Sequence, residues 1–259
     1  MDGMIVIKCG GSMIDTLSTE FFDSIKKLQS NGLKPIIVHG GGPAINKMLE
    51  SLQIESEFVN GLRKTTDEVM NVVEMVLSGS ITNQLVRGLQ ANGINAIGIT
   101  GSDGGLLKAK AIDKEKLGFV GDITAVNETI LYNLTSIGLV PVISPIAINN
   151  NGDELLNINA DTAAAAIAVA VKASKILFVT DVPGVLKNNE IVETATSKEM
   201  LSLIDDGTIS GGMIPKVKAA LHSLEGGMTE AMIVSGQSYL LDGKKIVGTT
   251  IRKELEIVN

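Results

Sequence analysis

Short apolar runs alternate with amphipathic stretches along almost the whole chain. Six of the runs, Met4–Cys9, Pro35–His39, Asn95–Thr100, Val140–Ser144, Lys175–Thr180 and Thr229–Ser235, are rich in β-branched residues and apolar at consecutive positions. Strands covered on both faces, as in a parallel sheet, carry that pattern. Helix signals lie between them. Ser18-Thr19-Glu20 opens one that ends near Asn31-Gly32, and Thr66-Asp67-Glu68 opens the longest, with Val69, Val72, Val73 and Val76 at i, i+3, i+4, i+7 spacing. Asp161 stands where an N-cap belongs before the Ala-rich run from Thr162 to Ala166, while Asn127 and Pro215 start two more helices.

Alternating β and α elements predict an α/β fold, a three-layer αβα sandwich around a mainly parallel central sheet. Two stretches break the alternation. Leu106 to Val126 and Ile146 to Ile158 read as hairpins, centred on Lys114–Gly118 and Asn149–Asp153, and predict antiparallel edge strands. A boundary between two lobes is expected near 172–175, after the Ala-rich helix, giving an N-terminal lobe of residues 1–173 and a C-terminal lobe of 174–259. At 259 residues the chain exceeds the usual size of one domain, which agrees with two lobes.

Composition narrows the function classes. With no Trp, 2 Tyr and 5 Phe, the core must be built from aliphatic side chains. A net charge of −7 disfavours binding to a nucleic-acid backbone. Cys9 stands alone and the only histidines are His39 and His222, so neither an internal disulfide nor a standard zinc site is expected, and no protein-built metal site is assigned. No apolar run approaches the ~18 residues of a membrane span, and the chain runs straight into Met4-Ile5-Val6-Ile7-Lys8 without a targeting pattern. The expectation is a soluble, cytoplasmic, reduced protein with no membrane partner.

Three glycine clusters follow predicted strands: Lys8-Cys9-Gly10-Gly11-Ser12, His39-Gly40-Gly41-Gly42-Pro43 and Thr100-Gly101-Ser102-Asp103-Gly104-Gly105. Glycine there serves either a tight strand-to-helix turn or close approach of backbone N–H groups to an anion at the carboxyl end of a sheet. The recurrence of the pattern, once beside a lysine, favours the anion. GxxxxGK[ST], GxGxxG and GxSxG are all absent, which disfavours a P-loop enzyme, a dinucleotide-binding enzyme and a serine hydrolase. Asn157-Ile158-Asn159-Ala160-Asp161 suits either turn chemistry with capping, or a site where Asn157 donates to a substrate carboxylate and Asp161 orients lysines. Asp181-Val182-Pro183-Gly184-Val185-Leu186 reads as a plain turn or the entrance to a nucleotide pocket. Lys216 falls on the first turn of a helix, where a cation is locally unfavourable and therefore suggests a task. His39 and Cys9 are assigned no chemistry, and the Val69–Val76 stripe is read as core or subunit contact.

These segments, in this order, resemble the amino acid kinase family. The likeness is carried by KxGG[GANS] at Lys8–Ser12, HGGGP at His39–Pro43, GLR at Gly61–Arg63, NxNAD at Asn157–Asp161, DVPGV at Asp181–Val185 and GGMxxK at Gly211–Lys216. HGGGP together with GLR and NINAD points to the branch that acts on N-acetyl-L-glutamate. The resemblance implies the amino acid kinase fold in two lobes and MgATP-dependent phosphorylation of the substrate's γ-carboxylate, a step of arginine biosynthesis. It implies backbone N–H groups from Gly41 and Gly42 on the substrate, with Arg63 and Asn157 on its α-carboxylate and N-acetyl end. Lys8 and Lys216 become transition-state stabilisers organised by Asp161. ATP lies against Gly10, Gly11, the stretch Asp181, Val182, Pro183, Gly184, Val185, Leu186, and Thr208, Ile209 and Ser210, with Mg²⁺ arriving on the nucleotide. In the family, arginine-inhibited members carry a helix ahead of the first strand. That helix has no counterpart before Met4, so a homodimer insensitive to arginine is expected. Rival readings are another member, such as glutamate 5-kinase, aspartokinase, carbamate kinase or UMP kinase, and a non-catalytic sensor of nucleotide or amino acid.

Overall fold

The computed structural model describes residues 3–254. At its centre lies an eight-stranded sheet made of β1 (Gly3–Cys9), β2 (Leu33–His39), β3 (Ala96–Thr100), β4 (Val140–Ser144), β5 (Lys175–Thr180), β6 (Thr194–Thr196), β7 (Glu230–Ser235) and β8 (Thr249–Arg252). Their spatial order is β6-β8-β7-β5-β1-β2-β4-β3. The strands from β7 to β3 are parallel, whereas β8 pairs antiparallel with β7 and carries β6 in its own direction. Each predicted run lands on β1, β2, β3, β4, β5 or β7, with ends within two residues.

Alternate side chains of β1 explain the three layers. Met4 and Val6 enter one core, while Ile5, Ile7 and Cys9 enter the other. The second core is closed by α1 (Thr19–Ser30), α2 (Gly42–Ser51), α3 (Asp67–Glu74) and α4 (Thr82–Ala91); the first by α5 (Glu128–Ser136), α6 (Ala160–Ala170), α7 (Ser197–Asp205) and α8 (Met213–Glu225). The sheet is continuous across 172–175: Ile5 to Cys9 pair in register with Lys175 to Val179.

Two expectations need correcting. The hairpins are not edges of the central sheet. Leu107–Ala111 pairs with Gly121–Val126 and Ile146–Asn149 with Leu155–Asn157, and the two join through Lys108 and Ile148 into a separate four-stranded sheet. Pro145, directly after β4, has no N–H to continue a ladder. Beyond it Ala147, Leu107, Ala109 and Leu156 bury themselves in the core shared with α6. Nor does Asp161 cap α6: Asn159 does, its Oδ1 accepting the N–H groups of Asp161 at 2.8 Å and Thr162 at 3.2 Å. Asp161 sits inside the first turn with its carboxylate free for other work.

Between α3 and α4 the helical path does not break but loosens into a π-helix over Met75–Ile81. The apolar spacing gives the reason. Val69, Val73, Leu77, Ile81, Leu85 and Leu89 recur every four residues and all are buried. At 100° per residue a four-residue repeat drifts by about 40° each time. Over five repeats an ideal α-helix would carry the stripe by about 200°, onto the solvent side. The wider π turns take up that drift and keep all six side chains in one core. The valine stripe within this segment is therefore core: Val69, Val72, Val73 and Val76 are each at most 3% exposed.

Candidate active site

Because the strands from β7 to β3 run the same way, their carboxyl ends open on one edge, and the predicted site residues gather there. Lys8 and Cys9 end β1 and lead into Gly10-Gly11; His39 ends β2 and leads into Gly40-Gly41-Gly42 at the start of α2. The two turns pack backbone on backbone. A Cβ on Gly11 would stand 2.7 Å from both N and Cα of Gly41, so only glycine fits. Gly41 is also closed from above, since a Cβ there would meet the ends of Ile81 and Leu77 from the π segment at 2.4 and 2.5 Å. Two glycine-rich backbones are thereby held edge to edge beneath a helix that cannot retreat.

On that edge stand two lysine–carboxylate pairs. Lys8 Nζ lies 2.8 Å from Asp161 Oδ1, joining the end of β1 to the first turn of α6. Lys216, near the start of α8, donates to Asp181 Oδ1 at 3.0 Å, and Asp181 directly follows β5, the strand beside β1. Among the described residues Asp161 forms its ion pair with Lys8 alone, so the two lysines have separate carboxylate partners. The hydrogen bond from Lys216, with a second at 2.8 Å from the Thr180 hydroxyl, holds the Asp181 carboxyl below its ordinary range.

Arg63 is 7% exposed. Its guanidinium donates to Asn46 Oδ1 at 2.6 Å, to Gly42 O at 3.4 Å and to Ser56 Oγ, and packs 4.6 Å from the Phe58 ring centre. Burial lowers its pKa, although a guanidinium stays charged at any working pH. Asn157 is tied to the same region through Thr65: Asn157 Nδ2 donates to Thr65 Oγ1 at 3.1 Å, and that hydroxyl donates to Arg63 O at 2.8 Å. The structure thus joins Arg63 and Asn157, 94 residues apart in sequence, into one network that also reaches Gly42 at the end of the HGGG turn.

The remaining predicted residues line the loops around Lys216. Val185 is buried, its N–H donating to Thr249 Oγ1 at 2.8 Å, which anchors the Asp181–Leu186 loop to β8; Asp181, Pro183 and Leu186 stay exposed. Ile209 is buried and bonds back to Leu203 O at 2.7 Å, leaving Thr208 and Ser210 exposed on either side just ahead of α8. His39 is fully buried between Gly40 O at 3.0 Å and Thr82 Oγ1 at 2.8 Å, and desolvation lowers its pKa from 6.5 to about 4. Nδ1 donates to the Gly40 carbonyl, and Nε2 lies against the Thr82 hydroxyl, which also contacts Leu77 O at 2.8 Å. Cys9 is buried as well, and desolvation raises its thiol to about 12. Among the described residues no three His, Cys, Asp or Glu gather as a metal cage.

Sequence reasoning missed Asn46, Ser56 and Thr65, which hold Arg63 and Asn157, and missed Asp181 as the partner of Lys216. Asn46 lies three residues beyond Pro43 of the HGGGP motif, one turn into α2, and that spacing was the available signal.

Chemically, the edge offers two ammonium groups, a buried guanidinium without a carboxylate partner among the described residues, glycine backbone, and no histidine free to act as a base. That set suits anions that react with one another. Comparison with known proteins agrees. The sequence matches the amino acid kinase family over residues 3–235. It is 51% identical to the acetylglutamate kinase of Halalkalibacterium halodurans over 256 residues, covering 98% of each chain. It is 52% identical to that of Geobacillus kaustophilus over 257 residues, covering 99% of each. In three dimensions it superposes on a Streptococcus mutans protein with a TM-score of 0.83 at 33% identity, covering 97% of this chain and 99% of that one. The chain belongs to the amino acid kinase family.

Proposed function

We propose that this chain transfers the γ-phosphoryl group of ATP to the γ-carboxylate of N-acetyl-L-glutamate, giving N-acetyl-L-glutamyl 5-phosphate and ADP, a step of arginine biosynthesis. The observation that carries the reading is the buried Arg63 guanidinium, unpaired with any carboxylate among the described residues, within the network that links Asn157 to the HGGG turn. An acceptor with an α-carboxylate and an N-acetyl group matches it.

A γ-carboxylate with a pKa of ~4.3 is ionised at neutral pH and is already the nucleophile. Its oxygen attacks the γ-phosphorus in line, the bond to the ADP oxygen breaks, and no proton has to move. What opposes reaction is repulsion between two anions and the charge spread over the transferring group. Lys8 and Lys216 face that charge from opposite sides. Asp161 aims Lys8, Asp181 holds Lys216 until the nucleotide arrives, and neither takes up a proton. Gly41 and Gly42 N–H groups hold the acceptor; Gly10 and Gly11 serve the phosphates. The 1–173 portion takes the amino acid and 174–259 takes the nucleotide along Asp181–Leu186 and Thr208–Ser210. The donors present fit a Mg²⁺ that comes with ATP, held by phosphate oxygens and water, which neutralises part of the phosphate charge. We place the enzyme in the cytoplasm as a homodimer. The exposed Met48 of α2, Leu52 just beyond it and Met75 of the π segment supply apolar surface for the contact between copies.

The test is ADP release from MgATP with hydroxylamine present to trap an acyl phosphate, comparing N-acetyl-L-glutamate, L-glutamate, L-aspartate, carbamate and UMP. Hydroxamate formed with N-acetyl-L-glutamate in clear preference is the expected result. Preference for unacetylated glutamate would overturn the roles of Arg63 and Asn157.

A further inference from the structure

Arg63 is a nearly buried cation whose partners are all neutral. Nη2 reaches the amide oxygen of Asn46 and the carbonyl of Gly42, Nη1 reaches the hydroxyl of Ser56, and Phe58 covers one face. Acid is close at hand and is not used. Ser56 sits between Glu55 and Glu57, yet the position that touches the guanidinium carries a hydroxyl, and Glu57 turns instead to Lys64 at 2.9 Å. At position 46 an aspartate would match asparagine in shape and offer the same acceptor oxygen, but with a charge. A carboxylate at either place would satisfy the geometry equally well, since guanidinium and carboxylate are natural partners.

We propose that Asn46 and Ser56 are the specificity-determining positioning residues of this site. They fix the Arg63 guanidinium with uncharged oxygens, so that its whole charge is kept for the α-carboxylate of the acceptor. This rests on the reading of Arg63 as the anchor for that carboxylate. A buried arginine aligned by an internal carboxylate would be equally well placed but already neutralised, and an incoming anion would meet a like charge at close range. With neutral holders the geometry is prepared in advance, while the electrostatic vacancy persists until the substrate fills it.

The experiment installs the missing carboxylate. Asn46→Asp and Ser56→Asp are each compared with the unaltered enzyme for kcat, KM for MgATP, KM for N-acetyl-L-glutamate, and the competitive inhibition constant of 4-acetamidobutanoate. That compound keeps the acetamide and the reacting carboxylate but lacks the α-carboxylate. Ser56 is exposed on its loop, so the second variant carries the test even where the first does not accumulate folded. The expected result is a rise of about 100-fold in KM for N-acetyl-L-glutamate, since like charges in close contact cost several kcal/mol. KM for MgATP and the constant for 4-acetamidobutanoate should move by less than about 3-fold, the scatter expected of neutral positions. An unchanged KM for N-acetyl-L-glutamate in Ser56→Asp overturns the proposal. So does a parallel loss of 4-acetamidobutanoate binding, which would mean the pocket had deformed. An unaltered enzyme inactive toward N-acetyl-L-glutamate would instead refute the acceptor reading, and this inference with it.

Discussion

The two lysine–carboxylate pairs use the same groups at nearly the same distance and differ in setting. The Lys8 and Asp161 side chains are 17% and 33% exposed, and both are rooted in core elements, a central strand and the first turn of α6. The Lys216 and Asp181 side chains are 34% and 60% exposed and connect a surface loop to a helix start. Water competes freely for the outer pair and much less for the inner one. The inner pair therefore fixes a lysine in place. The outer pair only parks one. On the proposed function, Lys216 would leave Asp181 for an incoming phosphate at little cost, so that packing would prepare one side of the reaction and the ligand would complete the other.

The sharpest way to break this comparison is to remove each lysine. Lys8→Ala and Lys216→Ala should each lower kcat by about 10²- to 10³-fold, the usual loss when a placed donor is taken from a developing charge. Steady-state assays on folded protein decide it; near-normal turnover in either would remove that lysine from the reaction. The next effect lies in pH. His39, buried beside the inner pair's strand, holds a pKa of about 4 against an ordinary 6.5. The unfolded chain therefore binds a proton in that window that the folded chain refuses. This share of stability is fully present above pH 6.5, falls as pH drops toward 4, and totals about 3 kcal/mol. Urea unfolding at pH 7 and pH 4 should show the native protein losing that much more than His39→Gln; equal losses would mean that the ring is not held neutral.

Smaller still is the effect on stability of the two lysine substitutions. Lys8→Ala strands a half-buried Asp161 and should cost about 1 kcal/mol, whereas Lys216→Ala leaves Asp181 in water and should change stability by less than ~0.5 kcal/mol. Equal costs in chemical denaturation would erase the distinction between inner and outer pair. Last, Cys9, with its thiol raised to about 12, should react with a thiol reagent only as fast as the native protein opens. Labelling at the rate of a free thiol would show that the end of β1 is looser than the packing implies.

Much of the fold was legible because parallel strands announce themselves. Six consecutive-apolar runs can be satisfied only by cover on both faces. β6 and β8 escaped because Thr194–Thr196 is a three-residue edge strand, while Thr249–Arg252, paired between β6 and β7, has Ile251 as its one apolar side chain. The glycine turns and both lysines were visible as motifs. Their partners were not. Whether Asp161 or Asp181 takes Lys216 depends on how α8 lies against β5, and no local pattern records that. Asn46 and Ser56 were hidden for a similar reason: each looks like an ordinary polar residue until Arg63 is folded between them. The four-residue spacing from Val69 to Leu89 is in plain view, but the valine stripe taken from it covers only the two turns from Val69 to Val76, and the π segment goes unforeseen.

That π segment sets a limit on how the chain can change length. A surface loop generally accepts the loss of a residue, because its ends can shift to close the gap. An ordinary α turn does not, because losing one residue there rotates everything after it by about 100°. The π turns of Met75–Ile81 bond i to i+5 and hold about one residue more than an α-helix of the same reach. Removal of Gly79 would let them tighten into α-helix while Thr82, Leu85 and Leu89 keep close to their present faces. The stretch from Asp67 to Ala91 can therefore give up one residue, but only where the π turns hold it in excess.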